Sequence, residues 1–168
     1  NAATSDNEEL QVYLTGYIGE TFWGDGIELT RLRNEVENRK AKKVKMYLSS
    51  EGGDVKSALD IVTYMKSQKD MTFEVINAGM AASAATIILA GGDKSLSYSY
   101  AVGMTHKPSM VSWGDAADMQ EAIQTLDVFE NAINTIYLDR IEKNGKLVNN
   151  NREDTLQFIK SDLMKHKQ

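Results

Sequence analysis

A serine and a histidine are the side chains in this sequence that could carry nucleophilic chemistry. Ser83 lies in the stretch Gly79-Met80-Ala81-Ala82-Ser83-Ala84-Ala85-Thr86, and His106 follows about 23 residues later. A serine hydroxyl becomes a useful nucleophile when a nearby base removes its proton, and histidine titrates in the right range. The other histidine, His166, stands between two lysines in a charged segment that is typical of a solvated surface. His106 stands at a predicted strand end before a proline, which makes it the better placed base, although by itself such a residue is more often a satisfied surface or core histidine. We select Ser83 and His106 as the candidate pair for acyl-transfer chemistry.

Ser83 stands at a predicted turn between a strand and a helix. Residues 71–77 alternate between apolar and polar types, which predicts a strand, and residues 84–90 are apolar on every face, which predicts a buried helix. At the first turn of such a helix, unpaired N–H groups favour a developing oxyanion. Serine is also a common helix N-cap, and this stretch by itself favours that role. The two hypotheses are compatible, because a nucleophile at a helix start uses the same amides.

Two adjacent glycines form the second candidate element. Gly52 and Gly53 follow a strand predicted over residues 43–49 and precede a predicted helix. Glycine reaches unusual dihedral angles and lets a backbone N–H approach a ligand closely. By itself the pair is equally typical of an ordinary strand-to-helix turn. The apolar face of the helix that follows is predicted to consist of Ala58, Ile61, Val62 and Met65.

The remaining pattern alternates between strands and helices, which predicts an α/β fold. A strand, a surface helix and a second strand occupy the first 49 residues and form a β-α-β unit with a right-handed crossover. The other predicted elements are two short strands and a last helix. The strands are predicted over residues 10–15, 43–49, 96–99 and 101–108, and the two helices over residues 27–39 and 153–167.

A long helix is predicted over residues 115–143, with an acidic first turn between Asp115 and Asp118. At 1.5 Å per residue it would be about 42 Å long, which is more than one small domain covers. We expect part of it to contact another subunit. Its apolar face is predicted to contain Met119, Ile123, Leu126, Ile133 and Tyr137, widened by Val128, Phe129, Ala132 and Ile136.

Composition narrows the function classes. The 168 residues suit a single domain, with residues 1–9 polar and expected to be mobile. The net charge of −5 argues against a nucleic-acid surface, and the lack of cysteine excludes disulfides, thiolate zinc sites and cysteine nucleophiles. We expect no cofactor, no metal and no membrane span, and a cytoplasmic location. The chain begins with Asn, so it is expected to be processed or part of a longer protein.

Three ordered motifs carry a resemblance to a known family. Gly52-Gly53, Ser83 in its small-residue stretch and His106-Lys107-Pro108 resemble the Clp-type serine peptidases in order and spacing, over roughly residues 10–140. Residues 12–19 and Trp23-Gly24 look like the phage-encoded branch, the Clp-like or head-maturation proteases. The resemblance implies a Clp/crotonase-type spiral of repeated β-α-β units, in which residues 115–143 form a handle helix.

The same resemblance implies a serine endopeptidase that works through an acyl-enzyme inside a self-assembled chamber. Ser83 would be the nucleophile and His106 the general base, and the amides of Gly53 and Ala84 would form the oxyanion hole. The implied substrate is a peptide or unfolded protein. The implied partners are further copies of the chain in heptameric rings and an ATP-dependent unfoldase.

The third member of a catalytic triad stays open. Residue count from His106 points to Asp154, whereas matching the last helix to the family puts the acid's place near His166 or beyond. We prefer the helix match, which leaves no acid at the expected place and makes the C-terminal end of the family domain look missing. A dyad, a lost triad or a truncated or disordered tail all fit. A non-catalytic ring subunit is the main alternative function, and an acyl-CoA hydratase or hydrolase on the same spiral fold is a weaker one.

Overall fold

The computed structural model describes residues 9–22 and 24–164. These residues form a parallel sheet with packed helices, which confirms the predicted α/β class. The chain divides into two compact units, the first ending at Met104 and the second beginning at Thr105. All five strands of the described chain belong to the first unit, and the second unit is helical.

The first unit alternates strands and helices. Every strand pair in it is parallel, and the sheet order is β1-β2-β3-β4, with β5 also paired to β3. The strands are β1 (Glu9–Ile18), β2 (Lys43–Gly53), β3 (Thr72–Ala82), β4 (Lys94–Ser97) and β5 (Val102–Met104). The helices are α1 (Leu29–Arg39), α2 (Val55–Ser67) and α3 (Ala84–Gly91).

The core of this unit follows from the apolar pattern. Alternate residues of β2 are buried, and α3 is buried along most of its length because it carries almost no polar side chain. Gly91 lets α2 approach α3, since a Cβ at Gly91 would lie 2.6 Å from a methyl carbon of Val62. The α2 residues that are buried confirm the predicted face: Ala58, Ile61, Val62 and Met65.

Strand β3 shares one of its edges between two partners. Glu74 to Asn77 pair with β4, and Met80 to Ala82 pair with β5, on the edge opposite β2. The predicted strand over residues 101–108 is wrong beyond Met104. Pairing ends there because β3 itself ends at Ala82, and Pro108 has no N–H to donate to a ladder. The last pair of the ladder is Ala82 with Met104.

The second unit is built on α4 (Ala116–Lys143), which confirms the predicted long helix. Asp115 caps it, accepting hydrogen bonds from the N–H groups of Ala117 at 2.8 Å and Asp118 at 3.2 Å, while the Asp118 carboxylate accepts from the Asp115 N–H at 2.8 Å. A 3₁₀ turn (Val148–Asn150), α5 (Arg152–Phe158) and a π-helical turn (Ile159–Leu163) follow. The last predicted helix is therefore shorter than expected, and its final residues lie outside the described chain.

An ion cluster joins the start of β1 to β2. The Glu9 carboxylate lies 2.8 Å from Lys43 Nζ and 2.9 Å from Lys45 Nζ. Hydrogen bonds from Lys43 and then Lys45 lower the pKa of Glu9 from 4.5 to about 2. Glu9 belongs to β1, so the expectation of mobility is wrong at this residue, and residues 1–8 lie outside the described chain.

We expect Glu9→Gln to lower stability near neutral pH and to have little effect in strong acid. The folded-state pKa of Glu9 is depressed, so its contribution is present above the ordinary value and declines as pH falls through about 2. Urea unfolding of both proteins, followed by circular dichroism at several pH values, measures the difference. Glu35→Gln on the exposed side of α1 is the control, and a difference that persists unchanged into strong acid would contradict the assignment.

Candidate active site

Ser83 occupies a sharp turn between β3 and α3. Its backbone angles are φ 53° and ψ −124°, in a region that residues with a Cβ rarely adopt. Non-glycine residues in such conformations cluster at functional sites, and a serine on a strained strand-to-helix turn presents its hydroxyl outward. The predicted position of Ser83 between a strand and a helix is confirmed.

The backbone of Ser83 is held on both sides. Its N–H donates to the carbonyl of Met104 at 2.8 Å, so the end of β5 fixes the start of the turn. Its carbonyl accepts from the Thr86 N–H at 3.0 Å and from the Thr86 hydroxyl at 2.6 Å, which fixes the start of α3. These three bonds stabilise a conformation that the chain would not adopt unaided.

The capping hypothesis for Ser83 is wrong in its usual form. Ser83 holds the N-cap position of α3, but its side chain makes no capping hydrogen bond. The backbone angles of Ser83, φ 53° and ψ −124°, also differ from the extended conformation of an ordinary N-cap. The first-turn amides are therefore not occupied by the serine that precedes them.

Gly52 lies directly against the Ser83 turn. A Cβ built on Gly52 would lie 2.7 Å from the Ser83 Cβ, 2.7 Å from the Ala82 carbonyl oxygen and 3.1 Å from the Ala84 nitrogen. Its φ of +109° also favours glycine. The Gly52 N–H donates to the hydroxyl of the buried Ser50 at 3.0 Å, and this bond fixes the glycine loop. No side chain other than hydrogen fits at this position.

Gly53 is fixed by the neighbouring strand. A Cβ on Gly53 would lie 2.3 Å from the carbonyl oxygen and 2.7 Å from the nitrogen of Ile18, and its φ is +150°. The next N–H, that of Asp54, donates to the same Ile18 carbonyl at 2.8 Å. The first unit thus contains all four residues of the candidate site: Gly52, Gly53, Ser83 and Ala84. Gly52 lies in contact range of both Ser83 and Ala84.

Three polar residues that shape this site were not singled out from the sequence. Asn77 is buried, donates its side-chain amide to the Val102 carbonyl at 3.0 Å and accepts from the Gly79 N–H at 3.3 Å. A polar residue inside an otherwise apolar strand is the signal that could have found it. The other two are Ser50, which receives the Gly52 N–H, and Thr86, which holds the Ser83 carbonyl.

His106 belongs to the second unit, in an irregular segment after β5. Its Nδ1 lies 2.7 Å from the carbonyl oxygen of Lys107. A carbonyl can only accept, so Nδ1 carries the proton and the neutral ring has an unprotonated Nε2. The residues on either side are held too: Thr105 donates its hydroxyl to the Leu163 carbonyl at 2.6 Å, and Lys107 Nζ lies 3.2 Å from a Glu130 carboxylate oxygen.

Of the two positions predicted for a third catalytic residue, the described part of the chain contains Asp154. Asp154 lies exposed in the first turn of α5, where its carboxylate accepts from the Asn149 side-chain amide at 2.9 Å. His166, the marker of the alternative position, lies outside the described residues. Trp23 does as well, whereas its neighbour Phe22 is 93% exposed.

In the described part of the chain, no group of three or more His, Cys, Asp or Glu side chains is arranged to hold a metal ion. None of the helices within residues 9–22 and 24–164 is long and apolar enough to cross a bilayer.

A strained serine at a strand-to-helix turn, packed against a glycine loop, is an arrangement that can carry out nucleophilic acyl transfer. The class of protein follows from comparison with known families, because a family model described as Clp protease matches residues 8–164. The chain belongs to the Clp protease family. The parallel sheet with packed helices is consistent with the fold of that family, whose members are peptidases that form oligomeric rings and act on protein substrates.

We expect Gly52→Ala to reduce the rate at which a fluorophosphonate labels Ser83 by at least about tenfold, because the new methyl group would displace the serine turn. Mass spectrometry of the labelled peptide measures the rate. Gly16→Ala is the matched control: it carries the same backbone strain at φ +90°, but a Cβ there meets nothing within 4 Å. Labelling of the Gly52 variant at the wild-type rate would contradict the contact.

Proposed function

We propose that this protein is a serine endopeptidase that hydrolyses peptide bonds through an acyl-enzyme inside a self-assembled chamber. The observation that carries the proposal is the strained Ser83 turn, which is held by the Met104 carbonyl and by Thr86. The Ser83 hydroxyl makes no capping hydrogen bond to α3. Strain of this kind persists only where the surroundings impose it. Membership of a peptidase family makes peptide-bond cleavage the reaction that this turn would serve.

In the first half of the reaction, the Ser83 oxygen attacks the carbonyl carbon of the scissile peptide bond. Nε2 of His106 takes the hydroxyl proton as the new C–O bond forms. The negative charge moves to the former carbonyl oxygen, and the N–H groups of Gly53 and Ala84 stabilise it. When the C–N bond breaks, His106 returns the proton to the leaving amine, and the acyl group stays on Ser83.

In the second half, water replaces the amine. His106 takes a proton from the water molecule while its oxygen attacks the acyl carbon, and the same two amides stabilise the second oxyanion. Collapse breaks the bond to the Ser83 oxygen, which recovers its proton from His106. The carboxylic acid product leaves, and both residues return to their starting protonation states.

The described contacts support these roles. Nδ1 of His106 is occupied by the Lys107 carbonyl, so the nitrogen left to accept a proton is Nε2. Met104, whose carbonyl fixes Ser83, precedes His106 by two residues in the chain. Gly52 packs against Ala84 N and leads into Gly53, which supports the assignment of the Gly53 and Ala84 amides to one oxyanion hole.

An extended, unfolded segment is the substrate that suits these surroundings. Met80 of β3 and Val102 of β5 form a register pair near Ser83, and the two residues are 42% and 54% exposed. Apolar side chains exposed next to a nucleophile suit an apolar side chain of a peptide. We therefore propose cleavage next to apolar residues of unfolded protein, delivered in the cell by an ATP-dependent unfoldase.

Assembly into heptameric rings is proposed through the handle helix α4. Its second half buries Ile133, Tyr137 and Leu138, whereas Ile123 and Val128 in the first half are 51% and 65% exposed. Exposed apolar residues on a regular helix are typical of a surface that another subunit covers. The Trp23-Gly24 loop and residues 12–19 further support a phage-encoded member, which would act in the host cytoplasm.

A non-catalytic ring subunit is the second candidate. The contact that favours it is at Asp154, the acid indicated by residue count, whose carboxylate is engaged by Asn149. The structure also gives Nδ1 of His106 a neutral carbonyl as its partner where a triad would provide a carboxylate. Chemical reactivity of Ser83 distinguishes the two candidates.

We expect Ser83→Ala to lower peptide hydrolysis by the assembled protein by about 10³-fold or more, because the acyl-enzyme can no longer form. Cleavage of a fluorogenic peptide and covalent labelling by a phosphonate or β-lactone measure the loss. Ser99→Ala, at an exposed serine in the loop after β4, should keep wild-type activity. Equal background activity of the wild type and Ser83→Ala, with no label on Ser83, would support the non-catalytic subunit.

We expect Ile123→Asp combined with Val128→Asp to shift the protein to a smaller assembly without unfolding it. Two buried carboxylates in an apolar subunit contact would cost several kcal/mol, roughly enough to dissociate it. Sedimentation velocity measures the mass, and circular dichroism verifies the helices. Gln120→Asp, an added charge on the same helix, is the control, and an unchanged mass for the double variant would contradict an interface along this half of α4.

A further inference from the structure

Asn77 lies at the point where β3 changes its strand partner. The register pairs with β4 end at Asn77, and those with β5 begin three residues later, at Met80. Where an edge passes from one partner strand to another, other groups have to satisfy its backbone N–H and C=O groups. Asn77 is 2% exposed, and a polar side chain buried this deeply in a strand needs a specific set of partners.

Asn77 bonds to both ends of the connection between β4 and β5. Its main-chain carbonyl accepts from the Tyr98 N–H at 3.1 Å, just after β4, and its side-chain amide donates to the Val102 carbonyl at 3.0 Å, at the start of β5. Its side-chain oxygen accepts from the Gly79 N–H at 3.3 Å. The Val102 group can only accept and the Gly79 group can only donate, so these two bonds fix which way the amide faces.

Strand β5 has few bonds of its own, although it holds the candidate nucleophile. It is three residues long, pairs with β3, and its first two residues are exposed. Segments with few buried contacts open locally at a low cost in free energy. The last residue of β5, Met104, provides the carbonyl that accepts from the Ser83 N–H at 2.8 Å. A displacement at Val102 is therefore transmitted along this short strand to the Ser83 turn.

We propose that Asn77 is a positioning residue for Ser83: its side-chain amide fixes the start of β5, and the end of β5 fixes the nucleophile. This inference rests on the proposed peptidase function and names a residue that holds the nucleophile of that reaction in place. Asparagine suits the position because one side chain supplies both a donor for Val102 and an acceptor for Gly79. An aspartate of the same shape supplies the acceptor, and it supplies the donor only when it is protonated.

The first test compares Asn77→Asp with Asn77→Ala by the rate at which a fluorophosphonate labels Ser83 in the assembled protein. At pH 8 both variants should react about tenfold more slowly than the wild type, because a displacement of about 1 Å at a reacting group costs up to ~10²-fold. As the pH falls towards 5, the new carboxyl takes up a proton and regains a donor, and burial favours this neutral form. The rate of Asn77→Asp relative to the wild type should then rise towards one, while that of Asn77→Ala stays low.

The pH profile separates positioning from a general loss of stability. Asn34→Asp, the same change at an exposed residue of α1, is the matched control and should label at the wild-type rate at every pH. Circular dichroism at each pH shows whether the variants remain folded. Equal pH profiles for Asn77→Asp and Asn77→Ala would overturn the proposal. A recovery of labelling in acid that only follows refolding of the whole chain would also overturn it.

The second test needs no enzymatic activity. Hydrogen–deuterium exchange of the Ser83 N–H, located by mass spectrometry of fragments, reports directly on its bond to the Met104 carbonyl. Asn77→Ala should speed this exchange by about tenfold, while the N–H of Ile61 inside α2 keeps its wild-type rate. Unchanged exchange at Ser83 would overturn the proposal. If wild-type Ser83 takes no label at all, the peptidase proposal alone fails, and the exchange rate still decides the role of Asn77.

Discussion

The hydrogen bond between the Ser83 N–H and the Met104 carbonyl is the contact on which the candidate site depends. It forms because β5 pairs with the last three residues of β3, just where that strand ends. With its N–H fixed there and its carbonyl fixed by Thr86, Ser83 has to turn with a positive φ. The strand pairing around Ser83 therefore holds it in this strained turn, and contacts in the sheet offset the energetic cost of the turn.

The glycine loop depends on the same turn. Gly52 approaches Ser83 so closely that a single methyl group would collide with its Cβ, and Ser50 holds the loop from the buried side. Gly53 is held just as closely by Ile18 of β1. Three parallel strands thus converge on one short stretch, and each contributes backbone to the site. Oxyanion stabilisation by backbone amides requires fixed dipoles of this kind, since a flexible loop would reorganise during reaction.

His106, in the second unit, is held in a different way from Ser83. His106 lies in a segment without regular structure, so its position cannot come from a ladder of backbone bonds. It comes from individual contacts: Thr105 to Leu163, Lys107 to Glu130, and the ring itself to the Lys107 carbonyl. Each is a single hydrogen bond or ion pair, which makes the histidine more sensitive to substitution than the serine. The long helix α4 carries Glu130, the ion-pair partner of Lys107. The same helix also has exposed apolar side chains.

The sequence by itself determined the order of strands and helices, the buried face of α2, the extent of α4 and the candidate status of Ser83, because these follow from local periodicity, capping chemistry and motif spacing. It did not predict that β2 and β3 continue through their glycines, that residues 105–108 leave the sheet, or that the Ser83 hydroxyl makes no cap. Nor did it predict the contacts made by four further residues: Gly52, Asn77, Thr86 and Glu130. Each depends on a partner distant in the chain, and only tertiary packing decides which distant groups meet.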